Sequence, residues 1–112
     1  MGAHSQLGEF EQLVLLAILQ LDDEAFGPAV GGLLEEAADR PVSRGALYSA
    51  LSRLEQKGFV EWEVEAATSE RGGNRSRRFS VTEPGLEALR SARQALLNLW
   101  EGLDAKLDGR AR

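Results

Sequence analysis

The sequence predicts a mainly helical α+β fold, on three observations. A helix over residues 43–57 follows a second helical segment after a turn of only three residues. Two short segments with strand-like alternation come next, over residues 59–65 and 77–81. A long helical segment with an apolar stripe closes the chain. Together these features predict a winged helix-turn-helix over residues 9–82, between a tail at 1–8 and a dimerisation helix with its own tail at 83–112.

The first helix is predicted over residues 9–21, and it is apolar on nearly every side. A helix of this kind must be buried nearly all round, and a chain of 112 residues has only a modest core. We therefore expect one side of this helix to meet a second subunit.

The second helix is predicted to begin at Gly27-Pro28 and to end before Pro41. Gly31-Gly32 lies inside it, at a cost of about 1 kcal/mol per glycine.

The helix over residues 43–57 is predicted to have one buried apolar side and one exposed polar side. Ser43 is a good N-cap and Gly58 a good C-terminal stop. Its buried stripe is expected to consist of Leu47, Leu51 and Leu54. The opposite side carries small and hydrogen-bonding residues edged by cations, which suits close approach to base edges and phosphates. The candidate DNA contacts on this helix are Ser43, Arg44, Gly45, Tyr48, Ser49, Ser52, Arg53 and Lys57.

The two predicted strands form a hairpin around the polar loop at residues 66–74. Glycines let a backbone lie close to a sugar-phosphate chain, and arginines supply charge and bidentate donors. The candidate DNA contacts at the tip of this hairpin are Arg71, Gly73, Asn74 and Arg75. The alternative is a solvated hairpin tip that binds nothing. The arginine-edged helix directly before it favours a DNA-binding wing.

The distribution of charge supports this interpretation, although the net charge is −5. Residues 1–39 contain eight carboxylates and neither lysine nor arginine, whereas residues 71–78 contain four arginines and no acid. Positive charge is thus concentrated in the elements expected to touch DNA. Such a field can orient an acidic protein on a duplex.

Several function classes find little support in the composition. The chain has no cysteine, and its longest apolar run, at residues 13–19, is too short for a membrane span. The lone His4 has no companion ligands, and the paired acids lack a pocket that would raise a pKa. We therefore expect a cytoplasmic protein that is not an enzyme and has neither metal, cofactor nor membrane partner.

The last helix is predicted from Thr82 to about Leu107, with a heptad stripe broken only by Arg93. The alternative is a terminal helix that packs on its own core, but the broadened stripe favours a homodimer. The expected interface residues are Phe10, Leu13, Leu16, Leu89, Leu96, Trp100 and Leu103. Trp100 has two interpretations: packing across the dimer, or a site for a flat apolar ligand that acts as a small-molecule effector.

The chain resembles the PadR family of bacterial transcriptional regulators in its short form. The resemblance rests on LGEF leading into LVLLAIL, on AFG at residues 25–27, on VSRGALYSAL with LEQKG, and on RRFSVTEPG at residues 77–85. It implies a winged-helix homodimer that represses promoters at a two-fold-related operator, with release by a small molecule in some members. It also implies that the helix with Ser43, Arg44, Gly45, Tyr48 and Ser49 is the recognition helix.

Three positions depart from the family pattern. Ser49 stands where proline is frequent, Arg78 occupies a place that is often aromatic, and Gly31-Gly32 replaces bulkier residues. These departures leave the operator sequence and the ligand unassigned.

The function expected from the sequence is therefore a DNA-binding repressor. One alternative is a winged-helix module that binds a protein partner through its glutamate-rich strand and acidic N-terminal half, without specific DNA binding. Another is a small-molecule sensor in which DNA binding is secondary.

Overall fold

The computed structural model describes residues 7–65 and 76–109. Its elements confirm the predicted mainly helical α+β class and the order of helices and strands. A 3₁₀ turn at Asp22–Glu24 follows the first helix. The named elements are α1 (Glu9–Leu21), α2 (Gly27–Ala38), α3 (Arg44–Gln56), β1 (Val60–Glu65), β2 (Ser76–Val81), α4 (Glu83–Trp100) and α5 (Asp104–Leu107).

The core lies where α1, α2 and α3 meet the inner side of the two-stranded sheet. Its largest fully buried side chains come from α1, α2 and α3, and the start of α4 contributes Ala88. The predicted stripe of α3 is buried as expected, with Ala50 added to it. The core consists chiefly of Val14, Leu15, Ile18, Val30, Leu34, Leu47, Ala50, Leu51, Leu54, Phe59, Val60 and Phe79.

Both ends of α3 are fixed by the residues that the sequence indicated. The Ser43 hydroxyl accepts a hydrogen bond from the Ala46 amide at 3.1 Å, which satisfies one of the unpaired donors of the first turn. Gly58 has φ 81°, a conformation that favours glycine and ends the helix. The first and last residues of α3 are therefore fixed by its two caps, and the buried leucine stripe leaves its polar side outward.

The hairpin is antiparallel and is anchored to the segment before α2. Trp62 pairs with Phe79 and Val64 with Arg77 across the two strands. The Phe79 amide donates to the Ala25 carbonyl at 2.9 Å. The base of the hairpin is thus held beside the starts of α2 and α3.

The glycines of α2 and α4 differ in how closely neighbouring elements approach them. A Cβ on Gly31 would lie 3.4 Å from a methyl group of Leu47, so α2 packs on α3 at this point, whereas a Cβ on Gly32 would meet nothing within 4 Å. A Cβ on Gly85 would overlap the carbonyl oxygen of Phe59. Gly85 is therefore required where α4 starts against the junction of α3 and β1.

The prediction that the last helix continues to about Leu107 was wrong. The helix ends at Trp100, and Gly102 then adopts φ 80° before the short α5. Because glycine enters this left-handed region without steric cost, it ends the helix here despite the continuing leucine pattern. Leu103 stands at the N-cap of α5 and not on the stripe of α4.

A buried carboxylate joins α1 to α3. Glu11 is 6% exposed and accepts hydrogen bonds at 2.9 Å from both the Gly8 amide and Lys57 Nζ. Its second oxygen accepts from Lys57 Nζ at 3.0 Å and from Arg53 Nε at 3.3 Å. Burial alone raises the pKa of Glu11, but the Gly8 amide and the two cations outweigh it, so that this pKa lies below its ordinary value.

The contact at Gly85 can be tested by adding one methyl group. We expect Gly85→Ala to lower the free energy of unfolding by about 1 to 3 kcal/mol, because the methyl group meets rigid backbone. Gly32→Ala is the matched control, and in open space it should raise stability by up to about 1 kcal/mol. Thermal unfolding followed by circular dichroism measures both. A Gly85→Ala variant as stable as the parent protein would contradict the close approach of α4.

The Glu11 ion pairs predict a pH-dependent stability. Glu11→Gln keeps an acceptor for the Gly8 amide and loses both ion pairs, so we expect a loss of about 1 to 3 kcal/mol at neutral pH. Because the folded-state pKa is depressed, the stabilisation exists above the ordinary pKa of about 4.3 and disappears as pH falls through the lower, folded-state value. Urea unfolding at a series of pH values measures the difference between the two proteins.

Glu9→Gln is the control for this experiment, since Glu9 lies on the same helix as Glu11 and forms an exposed ion pair with Arg40, which follows α2. It should change stability by no more than about 0.5 kcal/mol. A loss in Glu11→Gln that stays the same down to acidic pH would show that charge is not the cause.

Candidate nucleic-acid interface

The outer face of α3 is small, polar and exposed. It consists of Ser43, Arg44, Gly45, Ser49 and Ser52, all of which the sequence placed among the candidate contacts. A Cβ on Gly45 would meet nothing within 4 Å. Because the apolar stripe is buried behind it, this face is open to solvent along the first three turns of the helix. Its hydroxyl groups and its arginine can act as hydrogen-bond donors to an acceptor outside the protein.

Tyr48 lies between this face and the core, and it is half-buried. A Cβ on Gly27 would overlap the Tyr48 hydroxyl, so the glycine at the start of α2 makes room for the ring. The ring also lies 6.5 Å from that of Phe79, at an interplanar angle of 60°. Contacts from α2 and β2 thus hold Tyr48 in one place.

Two arginines lie over this fixed ring. The guanidinium carbon of Arg44 is 5.5 Å from the ring centre of Tyr48, and that of Arg77 is 5.6 Å from it. Arg77 is also 4.9 Å from the ring centre of Trp62. These distances are within the range of cation–π attraction. We call Arg44, Tyr48, Trp62 and Arg77 the arginine–aromatic cluster.

Arg77 was missing from the contacts predicted from the sequence. The signal was present, because a cation stands in β2 at a position where the alternation otherwise places apolar residues. The adjacent Arg78 is used differently. It forms salt bridges with Asp23, Glu63 and Glu65 at 3.6, 3.4 and 3.2 Å. Of these two neighbouring arginines, only Arg77 joins the cluster beside α3.

A cleft of about 730 Å³ separates the starts of α2 and α3 from the hairpin. Both arginines of the cluster line it, together with small residues and one exposed valine. An arginine guanidinium binds phosphate oxygens bidentately, so the chemistry of this cleft suits an anion. The lining residues are Gly27, Pro28, Arg44, Gly45, Tyr48, Val64, Ser76 and Arg77.

The remaining predicted contacts fall in two groups. Arg53 and Lys57 lie at the edge of α3 that faces α1, where both bind Glu11. Arg53 also donates to the Ser49 hydroxyl at 3.4 Å. The hairpin-tip candidates lie outside the described residues; they are Arg71, Gly73, Asn74 and Arg75.

A separate apolar surface runs along α1 and α4. We define the apolar face as Leu16 and Leu19 of α1 with Leu96, Leu97, Leu99 and Trp100 of α4, all of them exposed. Leu99 is the most exposed of them, at 78%. The other predicted interface residues Phe10, Leu13 and Leu89 are partly buried and pack against the core. A groove of about 300 Å³ lies between Leu16 and Leu19 on one side and Leu89 and Leu96 on the other.

Over residues 7–65 and 76–109, no cluster of three or more potential metal ligands is formed. Among the described helices, none combines the length and the hydropathy needed to span a bilayer.

Several solved structures share the fold of this chain, among them a transcriptional regulator and a complex of the protein hsRosR. A PadR family transcriptional regulator from Eggerthella lenta is 27% identical, with a TM-score of 0.65 over 88% of this chain and 86% of its own. A structure of an hsRosR complex is 25% identical, with a TM-score of 0.68 over 96% of this chain and 87% of its own.

A third structure shares the fold at lower identity. The transcriptional regulator TA0346 from Thermoplasma acidophilum is 21% identical, with a TM-score of 0.65 over 86% of this chain and 90% of its own. Its source is archaeal, so this fold is not confined to bacteria. A search of curated protein sequences gave no significant match.

The sequence profile described as the transcriptional regulator PadR-like family matches residues 15–91. The matched region contains the second half of α1, all of α2 and α3, both strands and the first half of α4. Members of this family are DNA-binding transcriptional regulators rather than enzymes. The match covers more than half of the chain, and it agrees with the winged-helix architecture and the solved neighbours; the chain belongs to the PadR-like family of transcriptional regulators.

Proposed function

We propose that this regulator is a homodimeric repressor that binds a two-fold-related operator through α3 and the hairpin. The observation that carries the proposal is the arginine–aromatic cluster, which aims two cations into a cleft beside the open outer face of α3. Residues 9–82 would bind DNA and residues 83–112 would supply the dimer contact. The cytoplasm is the compartment where such a regulator meets its promoter.

The outer face of α3 is suited to reading bases. An α-helix fits the major groove, where small polar side chains approach base edges closely. Arg44 and Ser49 are our candidates for base contacts, and Ser43, Gly45 and Ser52 for close approach to the backbone. Arg53 and Lys57 would lie at the edge of the same contact.

The cluster is suited to holding the DNA backbone. Arg77 lies over the rings of both Tyr48 and Trp62, so less side-chain freedom is lost when it binds a phosphate. Arg71, Gly73, Asn74 and Arg75 would extend this contact from the wing tip. Phosphate contacts of this kind fix the position of a protein on DNA without selecting a sequence.

The apolar face supports a homodimer. Leu96 and Leu97 are 50% and 54% exposed on the same helix as Leu99 and Trp100. Contiguous apolar surface of this kind on a small protein usually marks a binding site. A second copy is the simplest occupant, because a two-fold dimer presents two recognition helices to a two-fold-related operator.

A small ligand beside Trp100 is our candidate signal for release from DNA. Trp100 is exposed at the end of α4, four and three residues after the exposed Leu96 and Leu97. Its ring would face the dimer contact, where a planar apolar compound could pack against it. Packing between the two subunits is the competing role for this side chain, and quenching of its fluorescence by planar compounds distinguishes the two.

DNA binding by the cluster is tested with a duplex selected from a random library by the purified protein. Affinity should fall steeply with salt. We expect Arg77→Gln to weaken selected and random duplexes alike and to flatten the salt slope by about one unit. Arg44→Gln should instead change sequence preference, by about 1 to 3 kcal/mol for a lost base contact.

Arg90→Gln is the control, because Arg90 is an exposed arginine on α4 that pairs with Glu87. It should bind as the parent protein does. Wild-type affinity in Arg77→Gln would exclude the cluster from the interface. A protein that binds no duplex at any salt concentration would favour the protein-interaction alternative.

The dimer is tested by sedimentation velocity at micromolar concentration. We expect the parent chain to be a dimer, and a Leu96→Glu/Trp100→Glu variant to be a folded monomer, because both side chains are already exposed within one chain. Val64→Glu makes the same kind of change at an exposed position of the hairpin, and it should remain dimeric. A monomeric parent chain would refute the interface.

A further inference from the structure

Glu11 is the only charged residue among the described ones that is buried, and its ionic partners are Arg53 of α3 and Lys57, the residue that caps the C-terminus of α3. Lys57 Nζ contacts both carboxylate oxygens, at 2.9 and 3.0 Å. Arg53 Nε contacts Glu11 Oε2 at 3.3 Å. Arg53 Nη1 also donates a hydrogen bond to the Ser49 hydroxyl on the outer face of α3. One carboxylate of α1 therefore engages the two cations at the edge of the recognition helix.

These cations differ from the two in the arginine–aromatic cluster. Within the part of the chain that the structure describes, neither Arg44 nor Arg77 forms a salt bridge. Arg53 and Lys57 do, and their side chains are still 51% and 31% exposed. They are close enough to solvent to meet a phosphate, but a phosphate must compete with Glu11 for them.

That competition is unfavourable for the phosphate. Glu11 is largely removed from water, so breaking its ion pairs would leave a buried carboxylate with no cation beside it and only the Gly8 amide as a hydrogen-bond donor. Each cation kept in an internal pair displaces fewer counterions from DNA, and counterion release drives sequence-independent binding. The pairs therefore lower the part of the affinity for DNA that does not depend on sequence.

We propose that Glu11 limits sequence-independent binding to DNA, by holding Arg53 and Lys57 in internal ion pairs that restrain their contact with phosphates. Base reading is then left to the outer face of α3, and backbone contact to Arg77 and the wing. This inference rests on the proposed function, in which α3 binds duplex DNA.

The experiment measures affinity for a short duplex of random sequence over a range of salt concentrations. We expect Glu11→Gln to bind it about tenfold more tightly at low salt and to show a salt slope steeper by about one to two units, as for one or two added phosphate contacts. Glu87→Gln is the control, since it removes one negative charge from an exposed pair on α4. It should bind close to the parent protein.

Substitution of Arg53 identifies the cation responsible. In the parent protein, Arg53→Gln should change random-duplex affinity less than about twofold, and less than Arg77→Gln does. In the Glu11→Gln background, the same Arg53→Gln change should remove roughly half of the gain in log affinity, and adding Lys57→Gln should remove the rest. Thermal unfolding curves of all variants identify a temperature at which every variant is folded, and the affinities are compared at that temperature.

The outcomes separate this proposal from the broader one. Equal affinity of Glu11→Gln and Glu87→Gln for the random duplex would overturn it, and so would a loss on Arg53→Gln as large as on Arg77→Gln in the parent protein. The comparison of Arg53→Gln with Arg77→Gln is made in the parent protein, so it remains a valid test even if Glu11→Gln does not fold. Absence of salt-dependent duplex binding by the parent chain would instead reject the proposed function itself.

Discussion

The burial of one side of α3 is the constraint on which the rest of the structure depends. Leu47, Leu51 and Leu54 pack into the space between α1, α2 and the sheet, and their spacing leaves the helix only one rotation that buries all three. The Ser43 cap and the Gly58 stop then set where the helix starts and ends. The outward position of the polar side is a consequence of this packing and needs no separate cause.

A glycine and an aromatic ring position the arginines of the candidate DNA-binding site beside α3. Gly27 leaves room for Tyr48, and the fixed ring of Tyr48 gives two arginines a common surface beside the cleft. The anchoring of β2 to the segment before α2 places Arg77 on the same side. Three elements distant in the sequence thus contribute to one basic surface on a chain whose net charge is −5.

Local patterns in the sequence were sufficient for the elements but not for the contacts between them. Caps and apolar periodicity predicted the bounds of α1 and α3 and the buried stripe, because these depend on neighbouring residues. The Glu11 ion pairs join residues 42 and 46 positions apart, and no local period indicates them. The end of α4 was missed because the leucine pattern continues past Gly102, where the backbone turns.

The most direct test of the account is to map the DNA-binding surface on the ¹⁵N-labelled protein by amide chemical-shift changes during titration with a selected duplex. Because the outer face of α3 and the arginine–aromatic cluster flank one cleft, the largest changes should fall on residues 43–52 and on Arg77. The apolar face of α1 and α4 should change little. Largest changes on the acidic surface around Asp23 and Glu63, with α3 unaffected, would contradict the account.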